Sequence, residues 1–153
     1  MEGKIISICI APEAGAPMHY VDSVRAIAGR GLEGDRYASA IGSYNQARPG
    51  ARQVTFMNQR FFAGSGFTHQ ESRRNIAVLG VELMWLIGRM FHIGGVKFEG
   101  LKYCDPCARP GRLIGSNLSF AEAFSDRGGL VADILTDGVI RVGDVLVPPP
   151  KRY

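Results

Sequence analysis

Short apolar segments, separated by turns rich in glycine and proline, run along the whole chain. Lys4–Ala11 and Gln53–Met57 are rich in β-branched and aromatic residues and predict buried strands. Val21–Ile27 alternates apolar and polar positions, and Ile76–Gly80 is a continuous apolar run, so we expect a strand at each. Cys9 lies inside the first of these strands and is therefore predicted to be part of the core.

The second half of the chain has the same character. Phe91–Gly100 alternates around a double glycine and predicts a hairpin or a bulged corner. Leu130–Thr136 is followed by an aspartate–glycine pair, a strong signal for a two-residue turn, so we expect it to pair with Val139–Val142. A glycine–aspartate turn then leads into Val145–Val147, the last predicted strand.

Helical character is limited to short segments. Val81–Met90 has apolar residues at helical spacing and predicts an amphipathic helix, against which we expect Trp85 to pack. Leu118–Phe124 predicts another helix, and a helix or turn is expected up to Phe62. About eight strands and about three short helices favour a mainly β fold, a single closed or nearly closed β-barrel, because closure removes exposed sheet edges.

The composition is that of one globular domain. The chain has 153 residues, 46% of them hydrophobic, which is enough to bury a core without disulfide or metal staples. We expect one domain over residues 1–153, with a proline-rich tail at 148–153. No apolar run approaches the roughly 20 residues that span a bilayer, and no signal segment is recognisable, so a soluble cytoplasmic protein with reduced thiols is expected.

The net charge of the chain indicates which class of ligand to expect. Eighteen lysines and arginines face 14 acidic residues, a net charge of +4, and the basic residues are spread along the chain. A nucleic-acid-binding protein would need a denser basic face with interleaved aromatic residues. The excess charge therefore favours a small anionic ligand or an acidic partner over nucleic acid.

Candidate chemistry is concentrated in the segment that ends at Arg112. Two of the three cysteines, Cys104 and Cys107, lie there, close in sequence to Arg109 and Arg112. A thiol attacks, carries sulfur or binds metal as its thiolate, which neighbouring guanidinium groups favour. The two arginines therefore make this pair the best candidates for reactive groups.

The local sequence also predicts how Cys107 is presented. Asp105 is a good N-cap and Pro106 suits the first helical position, so Cys107 would lie where helix N–H groups point outward. Pro110-Gly111 would end the helix at once. We therefore expect a single helical turn that carries Cys107 on a surface loop.

On residues alone, the Cys-x-x-Cys pair has several interpretations. It could form a structural disulfide, half a zinc site, a thioredoxin-type redox pair or two unrelated thiols. Zinc would need two more ligands, and a thioredoxin motif should open a long helix after a strand. The remaining zinc candidates are scattered, and His92 alternates with apolar neighbours and should face outward. These candidates are Cys9, His19, His69 and His92.

A glycine-rich stretch, Gly29–Tyr37, precedes a small and polar segment, Ala38–Arg52, that we expect to be a surface loop. The glycine spacing is neither a Walker loop nor a dinucleotide fingerprint. Its free N–H groups could meet an anion. Alternatively, the turn is locked by an internal contact from Asp35 to Arg36 or Arg30.

Adjacent arginines, Arg73 and Arg74, stand with Asn75 at the mouth of the fourth predicted strand. Arginine presents a planar fork of donors that matches the oxygens of carboxylate, phosphate or molybdate. The alternative is a solvated strand edge in which Glu71 is the salt-bridge partner.

With these segments assembled, the chain resembles the MOSC domain, the module found at the C-terminus of molybdenum cofactor sulfurases and in stand-alone bacterial proteins. The resemblance extends from about Gly29 to Leu146. Any one of its motifs is weak, but all of them in this order form a specific signal. They are Gly31–Arg36, Arg73–Ile76, Gly88–Gly94, Cys104–Cys107 and Gly128–Asp144.

The resemblance implies a β-barrel in which one cysteine carries sulfur or meets the molybdenum of a pterin cofactor. That residue is Cys107, the implied metal ligand, and Cys104 is a helper or a bystander. Arginines near the site are implied to meet the anionic molybdenum cofactor, molybdopterin. The candidate catalytic residues are Cys107 and Cys104, and the arginines that the resemblance implies are Arg73, Arg74 and Arg36. Asn75 beside the arginine pair, and Arg109 and Arg112 beside the cysteines, complete the candidate cofactor-binding residues.

Three functions are compatible with this resemblance, none involving nucleic acid or membrane. The first is a sulfur carrier, similar to a sulfurtransferase, in which Cys107 accepts sulfur from a cysteine desulfurase and delivers it to a molybdenum-cofactor enzyme or another metal–sulfur acceptor. No desulfurase activity and no bound pyridoxal phosphate are expected of this chain. The second is a molybdenum-pterin-binding protein or small reductase. The third is a binding domain, or an oxidant sensor that uses a Cys104–Cys107 disulfide.

Overall fold

A computed structural model describes residues 2–39 and 50–150 of the chain. The predicted loop at 38–52 and the predicted tail at 148–153 therefore fall partly outside the described residues. Eleven strands lie in the described part. They are β1 Gly3–Ile10, β2 His19–Val21, β3 Ser23–Ile27, β4 Gly31–Leu32, β5 Val54–Asn58, β6 Ile76–Leu79, β7 Met90–Ile93, β8 Val96–Tyr103, β9 Leu130–Ile134, β10 Gly138–Arg141 and β11 Val145–Val147.

Seven of these strands close into a barrel. Their order around it is β11, β7, β8, β9, β5, β6 and β1, and β1 returns to β11 where Gly3 lies opposite Leu146. β5 and β6 run parallel, whereas the other neighbours in the barrel run antiparallel. The prediction of a mainly β fold with a closed barrel is confirmed, and closure leaves these strands without a free edge.

The predicted hairpin between Leu130–Thr136 and Val139–Val142 is wrong. β9 pairs with β5 on one side and β8 on the other, so it offers no edge to β10. β10 pairs instead with β3 in a separate sheet of order β10, β3, β4. The turn residue Asp137 contributes to this arrangement, because its carboxylate accepts a hydrogen bond from the Ala28 backbone N–H at 2.7 Å.

The single strand predicted over Val21–Ile27 is two separate strands in the structure. Val21–Ile27 is divided at Asp22, because β2 pairs with β1 in the barrel sheet whereas β3 pairs with β10 in the small sheet. The alternating pattern indicated extended chain correctly, but it did not reveal that the two halves have different partners.

The helices of the described residues are all short. They are α1 His69–Ser72, α2 Arg109–Leu113 and α3 Phe120–Ala123, with 3-10 turns at Gln59–Phe62 and Leu83–Leu86. None in residues 2–39 or 50–150 has the length and apolar character needed to cross a membrane. The turn at Gln59–Phe62 and the helix Phe120–Ala123 confirm the helical segments predicted up to Phe62 and over Leu118–Phe124.

The predicted amphipathic helix over Val81–Met90 is reduced to the 3-10 turn Leu83–Leu86. Ile87, directly after this turn, forms an isolated β-bridge with Gly100 of β8. The chain is therefore extended at Ile87, and the helix cannot continue. A Cβ on Gly100 would lie only 2.1 Å from the Leu86 carbonyl oxygen, so this approach requires glycine. Trp85 does not pack inside as expected, because 37% of its surface remains exposed.

The barrel interior is filled by aromatic and aliphatic side chains. Phe56, Phe91 and Phe98 are fully buried, and their ring centroids lie 5.4–5.7 Å apart. A second cluster, which includes Phe67, Phe120 and Phe124, packs outside the barrel wall. This second cluster fixes α3 and the neighbouring segments, which adjoin the functional site.

Candidate active site: a cysteine in an arginine-lined cavity

The three cysteines have different environments. All are free thiols, and Cys9 and Cys104 are buried whereas Cys107 is exposed. Burial raises the pKa of Cys9 to about 12, so that thiol stays protonated at neutral pH. The core position predicted for Cys9 is confirmed. Cys107 is the thiol that a partner or small molecule can reach.

A cysteine loop, residues 104–108, connects β8 to α2. Its backbone packs directly against the pair Gly128-Gly129, where Cys104 N–H donates to the Gly129 carbonyl at 2.9 Å. A Cβ on Gly128 would lie 2.0 Å from the Cys104 carbonyl oxygen, so only glycine permits this approach. The Gly128 N–H in turn donates to the Tyr103 hydroxyl at 3.1 Å.

Arg74 also holds this loop. The side chain is 6% exposed, and its N–H groups donate to backbone carbonyls around it. Its partners are the carbonyls of Gly128 at 2.7 Å, Ser72 at 3.3 Å, Cys104 at 3.4 Å and Asp105 at 3.5 Å. Arg74 therefore ties the entry of β6 to the first residues of the cysteine loop and to Gly128.

Arg36 is supplied by the glycine-rich stretch. The Asp35 carboxylate accepts hydrogen bonds from Ala11 N–H at 3.0 Å and from Arg36 at 3.1 Å. This internal contact confirms the locked-turn interpretation, and its partner is Arg36, not Arg30. The Arg36 guanidinium also donates to the Tyr37 hydroxyl at 3.0 Å and to the Arg73 carbonyl at 3.2 Å. The turn thus fixes Arg36 in a set position.

Arg73 follows a short helix that the sequence analysis missed. α1 begins with a capping box between Thr68 and Glu71. Glu71 therefore caps this helix, and the alternative interpretation, in which it is the salt-bridge partner of the arginines, is wrong. Arg73 ends the helix in the left-handed conformation, with φ at 67°. An arginine in this region costs conformational energy that glycine would avoid, which points to a need for its side chain.

The Arg73 guanidinium is half-buried and donates a hydrogen bond to the Ala16 carbonyl. Burial, with smaller contributions from the positive charges of Arg36 and Arg109, lowers its pKa to about 10. Arg36 and Arg109 therefore lie close enough to Arg73 for their charges to act on it.

These elements enclose a cavity of about 40 Å³, which by volume has room for about three water molecules. Among the residues that the structure describes, five guanidinium groups, the Cys107 side chain and one carboxylate, that of Asp105, line it. We call it the cysteine–arginine cavity. Its lining residues are Arg36, Tyr37, Arg52, Arg73, Arg74, Asp105, Cys107, Arg109 and Pro110.

Residues 43–147 match the family model described as MOSC domain, more than half of the chain. The chain belongs to the MOSC family. Membership indicates a role connected with the molybdenum cofactor or with sulfur chemistry. No curated protein matches the sequence.

Solved structures share the MOSC fold. The YuaD protein from Bacillus subtilis is 19% identical with a TM-score of 0.78, and the match covers 95% of this chain and 94% of that one. YiiM from Geobacillus stearothermophilus is 17% identical with a TM-score of 0.71, covering 97% and 75%. YiiM from Escherichia coli is 13% identical with a TM-score of 0.67, covering 97% and 71%. At these identities the likeness concerns the fold alone.

Five residues singled out from the sequence come together in this MOSC chain, although they are far apart in sequence. Cys107, Arg36, Arg73, Arg74 and Arg109 all line the cysteine–arginine cavity. Cys104 does not line it. Its Sγ lies beneath the loop and accepts a hydrogen bond from the Arg52 guanidinium at 3.7 Å.

Asn75 lies in the barrel wall and not in the cavity. It is fully buried, and its side-chain amide N–H donates to the Cys9 carbonyl at 3.1 Å while its oxygen accepts from the Thr55 N–H at 3.0 Å. These bonds join β1, β5 and β6, which is why a buried amide is placed there. With its polar atoms bonded in this way, Asn75 acts in the structure as a crosslink.

The helix predicted to start at Asp105 begins later. α2 starts at Arg109, and Ala108 is its N-cap residue, so Cys107 precedes the helix and is not in its first turn. Pro110 and Gly111 lie inside α2, because proline is tolerated in a first turn and Gly111 makes room for the Leu118 carbonyl. With this later start, Arg112 lies exposed on α2, outside the cavity.

Sequence reasoning missed Arg52 and Tyr37 as lining residues. Arg52 comes from the end of a segment that reads as a plain polar loop, and no local motif marks it. Tyr37 directly follows Arg36, and its position beside a cavity-lining arginine was the one available signal. Both are brought into place by contacts between segments distant in sequence.

The groups in the cavity that could hold a metal or a cofactor are the Cys107 thiol and the guanidinium groups. Within residues 2–39 and 50–150, no group of three or more histidine, cysteine, aspartate or glutamate side chains is arranged to hold a metal ion. Cys107 with the guanidinium groups fits the two ends of a molybdenum cofactor, since a thiolate is a metal ligand and arginine binds phosphate. The cavity is too small to enclose the pterin, which would lie outside it.

Proposed function

We propose that this MOSC protein is a sulfur carrier in which Cys107 accepts sulfane sulfur as a persulfide and passes it to a molybdenum cofactor or another metal–sulfur centre. The observation that carries the proposal is an exposed thiol in the same cavity as five guanidinium groups. Cys9 and Cys104 are buried, so Cys107 is the thiol able to meet a donor.

The chemistry needs a nucleophilic sulfur and a positive environment. The Cys107 thiolate attacks the outer sulfur of a donor persulfide, a new S–S bond forms on Cys107, and the donor thiolate leaves. The product persulfide carries negative charge, which Arg73 and Arg109 stabilise, because a guanidinium favours an adjacent anion. An exposed sulfur can then transfer to an acceptor that docks at the same opening.

The surrounding structure keeps the reacting sulfur in one place. Arg74 and the Gly128-Gly129 pair fix the backbone on the Cys104 side of the loop, and α2 follows directly after it. A preorganised loop reduces the entropy lost when donor and acceptor meet. We propose that a cysteine desulfurase is the donor, since an exposed thiol on a surface loop is accessible to another protein.

Intact mass under non-reducing conditions tests the proposal. After incubation with a cysteine desulfurase and cysteine, the wild-type protein should gain one sulfur atom. Cys107→Ala should gain none, whereas Cys104→Ala is the matched control and should gain as much as wild type. Absence of the gain in wild type, or an undiminished gain in Cys107→Ala, would rule out Cys107 as the carrier.

A second candidate function is binding of a molybdenum-pterin cofactor, favoured by the presence of a thiol and guanidinium groups in one cavity. Cys107 would hold the metal, and Arg73 and Arg109 would bind the phosphate. When bound, the metal would supply redox chemistry. Elemental analysis of protein from molybdate-supplied cells discriminates, because a carrier should be metal-free whereas a cofactor protein should contain molybdenum that Cys107→Ala loses.

A further inference from the structure

The described residues that line the cysteine–arginine cavity carry an excess of positive charge. Five guanidinium groups line it against the carboxylate of Asp105. The other nearby carboxylate, Asp35, is buried and already accepts hydrogen bonds from Arg36 and Ala11. The positive charges of Arg36 and Arg109 both act on Arg73, which agrees with this excess. A ligand with two negative charges would compensate it better than one with a single charge.

The arginines divide into two groups. Arg36 and Arg74 are buried, and hydrogen bonds to Asp35, Tyr37 and backbone carbonyls hold their guanidinium groups in place. These two provide fixed positive charge and structure. Arg52, Arg73 and Arg109 are half-buried at the opening, so their guanidinium groups are the ones that an entering anion meets.

The volume limits the size of the anion. About 40 Å³ has room for about three water molecules, so the cavity can enclose a small inorganic anion, whereas an organic cofactor or a peptide would have to extend beyond it. A cysteine persulfide on a donor protein carries one negative charge and would approach from outside. Five guanidinium groups in so small a space are more than such a donor requires.

We propose that the cysteine–arginine cavity binds a small sulfane-sulfur dianion of the thiosulfate class and that Cys107 takes its outer sulfur, an inference that rests on the sulfur-carrier function proposed above. The sulfonate oxygens match the paired N–H groups of arginine. With the sulfonate held by Arg73 and Arg109, the outer sulfur is presented to Cys107 in the same cavity.

The step is balanced without an added oxidant or reductant. The Cys107 thiolate attacks the outer sulfur of thiosulfate and forms a new S–S bond. The original S–S bond breaks, and its electron pair leaves with the sulfonate group as sulfite. Cys107 is left as a persulfide anion, and the guanidinium groups stabilise the negative charge that develops on the departing sulfite.

The experiment incubates the full-length protein with thiosulfate and measures released sulfite and intact mass. One equivalent of sulfite and one added sulfur on Cys107 are expected, and Cys107→Ser should give neither. With cyanide as the acceptor, turnover is followed as thiocyanate. Inorganic sulfate should inhibit competitively, because it presents the same tetrahedral oxygens to the arginines.

Variants locate the anion site. Arg73→Gln and Arg109→Gln should each lower kcat/KM for thiosulfate by about tenfold to hundredfold, the loss expected for a charge-assisted hydrogen bond. Arg112→Gln removes a neighbouring charge on α2, outside the cavity. This variant should change kcat/KM for thiosulfate by less than about threefold. The far-UV circular dichroism spectrum and the rapid labelling of one thiol per chain should match wild type in all three variants, which shows that each remains folded.

Each outcome decides between the proposals. If the desulfurase loads wild-type Cys107 and thiosulfate does not, the thiosulfate inference is overturned while the carrier function stands. If neither donor loads it, both fall. If thiosulfate loads Cys107 but Arg112→Gln weakens the reaction as much as Arg73→Gln and Arg109→Gln, then general positive charge and not the cavity attracts the anion, and the cavity assignment is overturned.

Discussion

The Nε–H of Arg74 donates a hydrogen bond to the Gly128 carbonyl oxygen at 2.7 Å, across 54 residues of sequence. The same guanidinium reaches the carbonyls of Cys104 and Asp105. One buried side chain thus connects the entry of β6, the glycine pair before β9 and the cysteine loop. The position of Cys107 therefore depends on an arginine that is bonded mainly to backbone.

Replacing Arg74 should destabilise the protein. Arg74→Lys keeps the charge but cannot donate in four directions, so buried carbonyls lose their partners. We expect a loss of roughly 2–4 kcal/mol in the free energy of unfolding, measured by urea denaturation. Arg112→Gln, on the exposed face of α2, should stay within about 0.5 kcal/mol of wild type. An Arg74→Lys protein as stable as wild type would contradict the assigned role.

Gly128→Ala should displace the cysteine loop. The new Cβ would lie 2.0 Å from the Cys104 carbonyl oxygen, a contact that backbone cannot relieve without moving. We expect a cost of about 1–3 kcal/mol and altered reactivity of Cys107. The matched control is Gly138→Ala, whose Cβ would meet only a methyl group of Val96 that can shift. Equal effects of the two substitutions on Cys107 labelling would count against the loop packing described.

Thiol labelling should distinguish the three cysteines. Under native conditions an aromatic disulfide reagent should react rapidly with one thiol per chain, because Cys107 is exposed while Cys9 and Cys104 are buried. In denaturant all three should react. Cys107→Ser should abolish the rapid phase. Two rapid thiols in the native wild-type protein would show that Cys104 is accessible.

His69 makes stability depend on pH. Burial lowers its pKa to about 4, so the folded state holds the ring neutral. Its Nε2–H donates to the Arg74 carbonyl at 2.8 Å, and Nδ1 accepts from the Ser7 hydroxyl at 2.5 Å, an arrangement that only the neutral ring can make.

The unfolded state binds a proton at His69 more readily, so stability should fall as pH drops from about 6.5 to about 4. The loss should be about 3 kcal/mol over this window. Urea denaturation at several pH values measures it, and His69→Gln should flatten the slope in this range. A wild-type slope that persists unchanged in His69→Gln would assign the effect to other groups.

Asp133 and Glu99 lie directly opposite each other on β9 and β8. Burial raises the pKa of Asp133, and the neighbouring Glu99 carboxylate adds to this. Because the folded pKa is raised, ionisation of Asp133 costs stability as pH rises through that value. Asp133→Asn should therefore raise the unfolding midpoint at pH 7 and have little effect at pH 3. A stabilisation of equal size at both pH values would show that charge is not the cause.

The fold class could be predicted because short apolar runs and glycine turns are local properties. They located most barrel strands, and together they favoured a closed or nearly closed barrel. The partners of those strands could not be predicted. An aspartate–glycine turn separates Leu130–Thr136 from Val139–Val142, which favours a hairpin. Both edges of β9 nevertheless pair with strands from elsewhere in the chain, β5 and β8.

The site divides in the same way. The sequence by itself determined the candidate groups for the chemistry that we propose: a loop cysteine, Cys107, and arginines such as Arg36 and Arg73 in segments rich in glycine or polar residues. Only the tertiary structure decided that these meet in one cavity, that Asn75 is a crosslink in the barrel wall, and that Arg52 joins the cavity while Arg112 does not. The physical reason is that side-chain chemistry is set by residue type, whereas proximity depends on barrel closure, which brings together segments up to about seventy residues apart.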